Sequence, residues 1–333
     1  MRDQLSQSSR QLAIIIPCYN ESLTIGKVVR DFRSVLPHGV VFVYDNNSQD
    51  DTASRAREAG AIVQIERHRG KGNVVRRMFA EIDADVYVLV DGDDTYDPAS
   101  AAIAVSKLLE EGLDFINVAR QPLVTSAYRF GHAFGNKLLT SLVRIIFGSE
   151  FNDMLSGLKI FSRRFVKSFP GISRGFEIET ELTIHALELR MPVYEFEAPF
   201  RTRAEGSVSK LKTFGDGLRI LGTIVRLIRH ERPLNFYGTI GLASIAAAVL
   251  LSVPLVVTFF ETGLVPRVPT AILAVGLVLV GSQSIAVAAV LDTVTRSRQE
   301  IKRLAYLQTS GPIKNCGASW PSQNVCQETA VRQ

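Results

Sequence analysis

The chain has 333 residues, 46% of them hydrophobic, and a formal net charge of +5 from 38 Lys and Arg against 33 Asp and Glu. That length and apolar content exclude a disordered polymer or a disulfide-stapled miniprotein and allow one large domain or two ordinary ones. Cys18, Cys316 and Cys326 are too few for a cysteine framework, and the basic excess gathers beside two apolar stretches rather than forming a nucleic-acid footprint, so no nucleic-acid partner is expected.

Residues 1–11 are polar and lack the apolar stretch of a signal peptide, which predicts that the bulk of the chain stays in the cytosol. From there strand-like and helix-like segments alternate: Leu12–Pro17 as strand, Ser22–Leu36 as helix, Val40–Tyr44 as strand and Asp51–Ala59 as a short capped helix. The alternation continues through a strand at Ala61–Ile65, a helix at Asn73–Ala84, a strand at Val86–Val90, a helix at Ala99–Glu111 and a strand at Asp114–Val118. This is the pattern of βαβ units with right-handed crossovers, hence an α/β fold with a mostly parallel sheet.

The rhythm then changes. Tyr128–Phe147 reads as an amphipathic helix, Asn152–Phe161 as a loop entering a strand, Glu177–Leu189 as a helix, Val193–Glu197 as a strand and Phe200–Lys212 as a basic loop. Phe214, Leu218, Leu221, Ile224, Val225 and Ile228 recur at helical intervals, so 214–232 reads as an amphipathic helix lying in a membrane interface or packed on the preceding domain. No charged residue occurs in 233–260 or in 268–291, and each stretch exceeds the ~20 residues an α-helix needs to cross a bilayer. Arg226, Arg229, His230 and Arg232 before the first stretch, and Arg296, Arg298, Lys302 and Arg303 after the second, place both termini on the cytoplasmic side of a membrane hairpin. The alternative is a buried helical pair in a soluble protein. Residues 292–333 read as a cytosolic basic tail, disordered from Gln308 onward.

Four motifs follow strands on one side of the predicted sheet. Val86–Val90 runs into Asp91-Gly92-Asp93-Asp94, and so many carboxylates in four residues repel one another unless a cation sits among them. Mg²⁺ or Mn²⁺ suits such oxygen donors and leaves positions for substrate phosphates; a polar turn is the plain alternative. Pro17-Cys18-Tyr19-Asn20-Glu21 follows the first strand and Asp45-Asn46-Asn47-Ser48 the second. Gly70-Lys71-Gly72-Asn73 follows the third, where two glycines let backbone come close to a ligand beside Lys71. Asp45 is suited to accept hydrogen bonds from a base or ribose.

In Ile14–Glu21, Val43–Thr52, Gly70–Asn73, Leu89–Pro98, Asn152–Arg163 and Arg201–Leu211 the chain resembles family-2 glycosyltransferases of the GT-A fold. Within them it is similar to the polyprenyl-phosphate sugar transferases related to dolichyl-phosphate mannose synthase. The resemblance implies a cytosolic GT-A domain over 12–213 and a role in cell-envelope glycan assembly. It implies that Pro17, Tyr19, Glu21, Asp45, Lys71, Gly72 and Asp91 bind a UDP- or GDP-sugar donor, and that Asp91 and Asp93 form the DxD pair that reaches metal and diphosphate. Asp94 and Thr95 stand where relatives vary. Asp153-Met154-Leu155-Ser156-Gly157 matches an acceptor-side loop, and Arg120, Arg129, Ser156, Arg203 and Lys210 stand where relatives bind an acceptor phosphate.

The expected protein is an inverting, metal-dependent glycosyltransferase at the inner membrane, acting on a polyprenyl phosphate. A lipid phosphate is already anionic and needs no strong base, so arginine forks carry the work. A sugar-hydroxyl acceptor needs a base, for which Asp153 is the candidate. Two rival readings have no transfer chemistry: a catalytically silent nucleotide-binding scaffold at the membrane, and a soluble nucleotide-binding module with a buried hairpin. The residues leave a homo-oligomer open.

Overall fold

A computed structural model describes residues 11–122, 151–175, 177–201, 229 and 232–312. Strands β1 (Leu12–Cys18), β2 (Gly39–Asp45), β3 (Ile62–Ile65) and β4 (Val86–Leu89) alternate with helices α1 (Ile25–Val35), α2 (Thr52–Glu58) and α3 (Lys71–Glu81). Then come α4 (Pro98–Glu111), β5 (Phe115–Pro122), β6 (Lys159–Ser162), α5 (Arg163–Ser168), α6 (Ile178–Glu188) and β7 (Val193–Phe200). The described strands form a seven-stranded sheet in the order β3-β2-β1-β4-β6-β5-β7. β1 pairs in parallel with both β2 and β4, and β2 with β3, so their C-terminal ends share one edge. β6 alone runs against its neighbours, antiparallel to β4 and β5, while β5 and β7 are parallel.

Side chains alternate along β1 in a way that explains the two-sided burial. Ile14 and Ile16 join a core with Val28, Val29 and Phe32 of α1 and Ala104 and Leu108 of α4. Ala13 and Ile15 join the opposite core with Met78 of α3, Phe165 of α5 and Leu182 of α6. Period-two alternation sends successive residues to opposite faces, and helices on both faces keep β1 apolar along its length. The second core contains an aromatic pile in which Phe161 stacks on Phe165 at 4.6 Å and on Phe115 at 5.5 Å.

Two helices follow the sheet domain. α7 (Pro233–Thr262) and α8 (Val268–Gln308) are long and apolar enough to cross a membrane, and only 17% of each apolar window is buried within the chain. Their contact follows a seven-residue spacing: Gly241, Ala248 and Leu255 on α7, and Ala274, Gly281, Ala288 and Thr295 on α8, are the buried positions beyond Pro233. A seven-residue repeat keeps one seam facing its partner along the helix. A Cβ on Gly241 would lie 2.8 Å from the Gly281 carbonyl oxygen, and one on Gly281 would lie 2.9 Å from that of Gly241. Small residues let the two backbones approach, the usual basis of helix packing where no hydrophobic force acts between helices.

α8 continues well past the uncharged stretch that ends at Leu291, through the segment read from sequence as a tail, as far as Gln308. Its 41 residues give a helix of roughly 60 Å, about twice a bilayer core. The last turns stay helical because they dock on the sheet domain. Lys302 Nζ lies 2.6 Å from Glu188 of α6, and both side chains are largely buried. The Tyr306 hydroxyl donates to Asp114 Oδ2 at 2.7 Å, and the Arg164 guanidinium sits 4.7 Å over the Tyr306 ring. Asp114 is fully buried and also accepts from Ser162 Oγ and from the Arg164 fork. Tyr306→Phe removes one donor from a buried carboxylate that keeps its others, a loss of about 1–2 kcal/mol. The expected result is a thermal midpoint a few degrees lower for the detergent-solubilised chain, whereas an unchanged midpoint would show that this end of α8 contributes no stability.

Candidate active site

The parallel pairing brings the four sequence motifs to one edge, since the segments after β1, β2, β3 and β4 all leave the sheet there. The loop before β6 enters at the same edge, because β6 is reversed and Lys159 at its start pairs with Leu89 at the end of β4.

The loops after β1 and β2 are stitched together. Asn20 N–H donates to Ser48 Oγ at 2.8 Å, Gln49 N–H to Asn20 Oδ1 at 2.9 Å, and Glu21 N–H to Thr52 Oγ1 at 2.8 Å. Asn46 organises the loop after β3: its amide donates to the carbonyls of Glu66 and His68, and its oxygen accepts Gly70 N–H at 2.7 Å. Pro17 is buried in β1 opposite Tyr44, and the Arg69 guanidinium lies 5.5 Å from the centre of the half-buried Tyr19 ring. Asp45 is 4% exposed; Oδ2 accepts Ser48 N–H at 3.0 Å, while buried Oδ1 has no hydrogen-bond partner among the described residues. A buried unsatisfied oxygen costs free energy unless something donates to it. Asp45 thus keeps an acceptor position that no described residue fills.

The acidic turn after β4 is held by its surroundings. Thr24 Oγ1 donates to Gly92 O at 2.6 Å, and a Cβ on Gly92 would fall against the Glu21 carboxylate and 2.7 Å from Cys18 Sγ. Asp93 is 4% exposed and accepts from Thr95 Oγ1 at 2.6 Å. Asp94 turns away at φ 58° to meet Lys27 at 2.7 Å. Asp91 remains part-exposed, and a Cβ on Gly157 would collide with its carboxylate, so the Ser-Gly loop closes directly over it.

The two glycines around Lys71 serve the chain itself. Gly70, at φ +125°, and Gly72 lie so close to the Ser173 and Arg174 backbone that a Cβ on either would collide with it, and Gly72 N–H donates to Gly175 O at 3.1 Å. The close approach expected toward a ligand is thus an approach to residues 173–175. That contact turns Lys71 inward, where its ammonium bridges Asp91 Oδ1 at 2.5 Å and Glu179 Oε1 at 2.6 Å. Burial opposes its charge, but the two carboxylates prevail and raise the Lys71 pKa. Burial raises that of Glu179 despite the ammonium beside it.

In the loop before β6, Asp153 is 5% exposed and receives a fork from Arg120, Nε to Oδ2 at 2.6 Å and Nη2 to Oδ1 at 2.8 Å, together with the Arg120 backbone N–H. Burial alone would raise the Asp153 pKa; the Arg120 guanidinium outweighs it and holds the carboxyl below its usual range. Ser156, expected to touch a phosphate, is fully buried and donates to Val118 O at 2.5 Å, tying its loop to β5. Tyr96 OH accepts the Gly157 N–H beside it at 2.5 Å. Arg129, Arg203 and Lys210 lie outside the described residues.

Sequence reasoning missed the supports of this loop. Asn117 on β5 donates to Asp153 O at 2.7 Å and to Glu195 Oε2 at 2.6 Å. Glu195 also accepts Asn152 N–H at 2.7 Å. Lys159, fully buried, donates to Asn117 Oδ1 at 2.6 Å, and burial brings its pKa down to about 8. The one sequence signal was a lysine opening a strand entered from a loop.

Residues 13–168 match the family model described as Glycosyl transferase family 2. Glycosyltransferase AglJ of Haloferax volcanii is 28% identical over 300 residues, 89% of this chain and 98% of the relative. The dolichyl-phosphate hexose transferase of the same organism is 26% identical over 221 residues, 66% of this chain and 95% of the relative. Among solved structures, glucosyl-3-phosphoglycerate synthase from Mycobacterium tuberculosis in complex with Mn²⁺, UDP-glucose and phosphoglyceric acid superposes with a TM-score of 0.54 at 22% identity. That match covers 66% of this chain and 80% of the solved one. A sheet edge that gathers an acidic turn, a buried carboxylate and an arginine-bound loop accords with these likenesses: the chain belongs to glycosyl transferase family 2 and is a glycosyltransferase of the GT-A fold.

Proposed function

We propose that this glycosyltransferase moves a sugar from a UDP- or GDP-sugar to a polyprenyl phosphate at the cytosolic face of the cell membrane, with α7 and α8 as its spanning hairpin and both termini inside. The observation that carries the choice of acceptor is the Arg120 fork on Asp153. A general base for a sugar hydroxyl needs an accessible lone pair and a pKa near the working pH. Asp153 has both oxygens engaged by Arg120, and its pKa is lowered. A phosphate oxygen that is already anionic needs no such base, only cationic donors that orient it. Arg120, Arg129, Arg203 and Lys210 are the donors assigned to it. The family likeness supports this reading through a relative whose name carries dolichyl phosphate.

The donor side uses the remaining motifs. Asp45 Oδ1 accepts a hydrogen bond from the nucleoside, flanked by Tyr19 and by the loop that Glu21 stiffens. Asp91 and Asp93 fit a divalent cation: they offer oxygen donors alone, two residues apart on a pinned turn. Among the described residues no group of three or more His, Cys, Asp or Glu stands together; a cation held by Asp91 and Asp93 would keep positions open for diphosphate oxygens, the usual habit of Mg²⁺. Bound there, Mg²⁺ or Mn²⁺ supplies positive charge to the departing diphosphate. The solved structure holding Mn²⁺ and UDP-glucose supports that assignment.

The test uses membranes containing the full chain, a panel of radiolabelled UDP- and GDP-sugars, undecaprenyl or decaprenyl phosphate, and Mn²⁺ or Mg²⁺ with an EDTA control. A labelled polyprenyl lipid that disappears with EDTA is the expected result. Label on a saccharide or glycolipid hydroxyl instead would restore Asp153 as the base and reject the phosphate acceptor.

A further inference from the structure

Lys71 sits where a second cation is not needed if Asp91 holds a metal. Its ammonium is wedged between Asp91 at 2.5 Å and Glu179 at 2.6 Å, with the Lys71 and Glu179 side chains each 8% exposed. Two carboxylates around one buried ammonium make a site with one negative charge to spare. A divalent cation approaching Asp91 meets that ammonium at short range, where like charges repel with little water to screen them. A buried ammonium that lost its only partner would carry a heavy penalty, since uncompensated buried charge costs several kcal/mol. Here the second partner is already in place. Glu179 projects from α6, outside every strand-end motif, and the chain between it and Lys71 includes the 173–175 backbone that locks Gly70 and Gly72.

We propose that Lys71 is an internal cation that competes with divalent metal for the Asp91 carboxylate, and that Glu179 is a positioning residue that keeps the ammonium when Asp91 turns to metal. Glu179 acts on metal binding only through Lys71. The arrangement fills the acidic mouth with a proton-bearing cation before donor arrives and lets it yield without leaving a buried charge unpaired. The inference rests on the reading of Asp91 as a metal carboxylate.

The experiment is Mn²⁺ titration of the full-length, detergent-solubilised protein, with free Mn²⁺ measured by its electron paramagnetic resonance signal and no donor or acceptor present. Coupling energies between sites typically correspond to changes of about 5- to 150-fold. Lys71→Met is expected to tighten Mn²⁺ binding by roughly tenfold, within that range, and Glu179→Gln to weaken it by roughly fivefold. The double variant is expected to match Lys71→Met alone, because Glu179 has no Lys71 left to hold. A simple sum of the two single effects, which a general field of charges would give, overturns the proposal, as does unchanged or weaker binding in Lys71→Met. Lys71→Gln is the second neutral variant should Lys71→Met fail to fold. Asp91→Asn separates the two readings: wild-type Mn²⁺ affinity there rejects Asp91 as a metal carboxylate, whereas lost binding there with no gain in Lys71→Met rejects the competition alone.

Discussion

Asp93→Asn is expected to cut sugar transfer by about 10²–10³-fold, the range for removing one group that stabilises developing charge in a transition state. The substitution is nearly isosteric. Asp93 is buried and one of its contacts is the Thr95 hydroxyl, which donates to Oδ1 and can donate equally to an amide oxygen. The turn itself is fixed from elsewhere, by Thr24 on the Gly92 carbonyl and Lys27 on Asp94. Fold and thermal midpoint should therefore persist while one negative charge leaves the mouth. The loss should appear chiefly in kcat, since charge builds on the diphosphate as the sugar–phosphate bond breaks. Transfer above a tenth of the wild-type rate, in protein of normal stability, would remove Asp93 from the chemistry.

How legible this was in sequence depends on the range of the interactions. Leu12–Asp91 alternates so regularly that the parallel half of the sheet and its shared edge follow from local pattern, and the strand-end motifs fall where a ligand site forms. Periodicity could not show that β6 reverses direction, because Lys159–Ser162 is four residues long and buried throughout, and so short a pattern carries no direction. The Gly70 and Gly72 pair shows the same limit inside a motif. Glycine announces a close backbone approach, but not whether a ligand or residues 173–175 make it. Glu179, Asn117 and Glu195 gain their roles from partners distant in sequence, so no local window contains the signal.

α8 makes a related point about charge. Arg296, Arg298, Lys302 and Arg303 read as a solvated basic flank, the ordinary sign of a cytoplasmic helix end. In the structure Lys302 is spent on Glu188, and Tyr306 on a buried Asp114. The helix that would carry the chain out of the membrane is thereby the same rigid element that grips α6 and β6's neighbour α5. On the proposed membrane hairpin, one continuous helix would set how the sheet edge is oriented relative to the lipid surface.

Arg120→Ala should be the most damaging of the stability variants. Arg120 and Asp153 are 18% and 7% exposed as side chains, so deleting the guanidinium removes the main charge partner of a carboxylate in a nearly dry site. Breaking a buried pair in this way typically costs about 3–5 kcal/mol, the upper part reflecting unrelieved charge. The pH dependence has a definite sign. In the wild type the Arg120 fork lowers the Asp153 pKa below its unfolded value, so the pair's contribution is complete above the unfolded carboxylate pKa of ~3.9 and fades as pH falls through the lower folded value. In Arg120→Ala the guanidinium no longer opposes burial, so the Asp153 pKa rises from its wild-type value and the group takes up a proton more readily as pH falls. The difference in thermal midpoint between the two proteins should be greatest near pH 7 and shrink toward pH 4. Asp153→Asn in the Arg120→Ala background should recover part of the loss at neutral pH, because the pair then leaves no buried charge behind. A gap that does not change with pH, or a double variant no better than Arg120→Ala, would show that Arg120 stabilises this loop by packing against Phe200, 5.5 Å from its guanidinium, and not by neutralising Asp153.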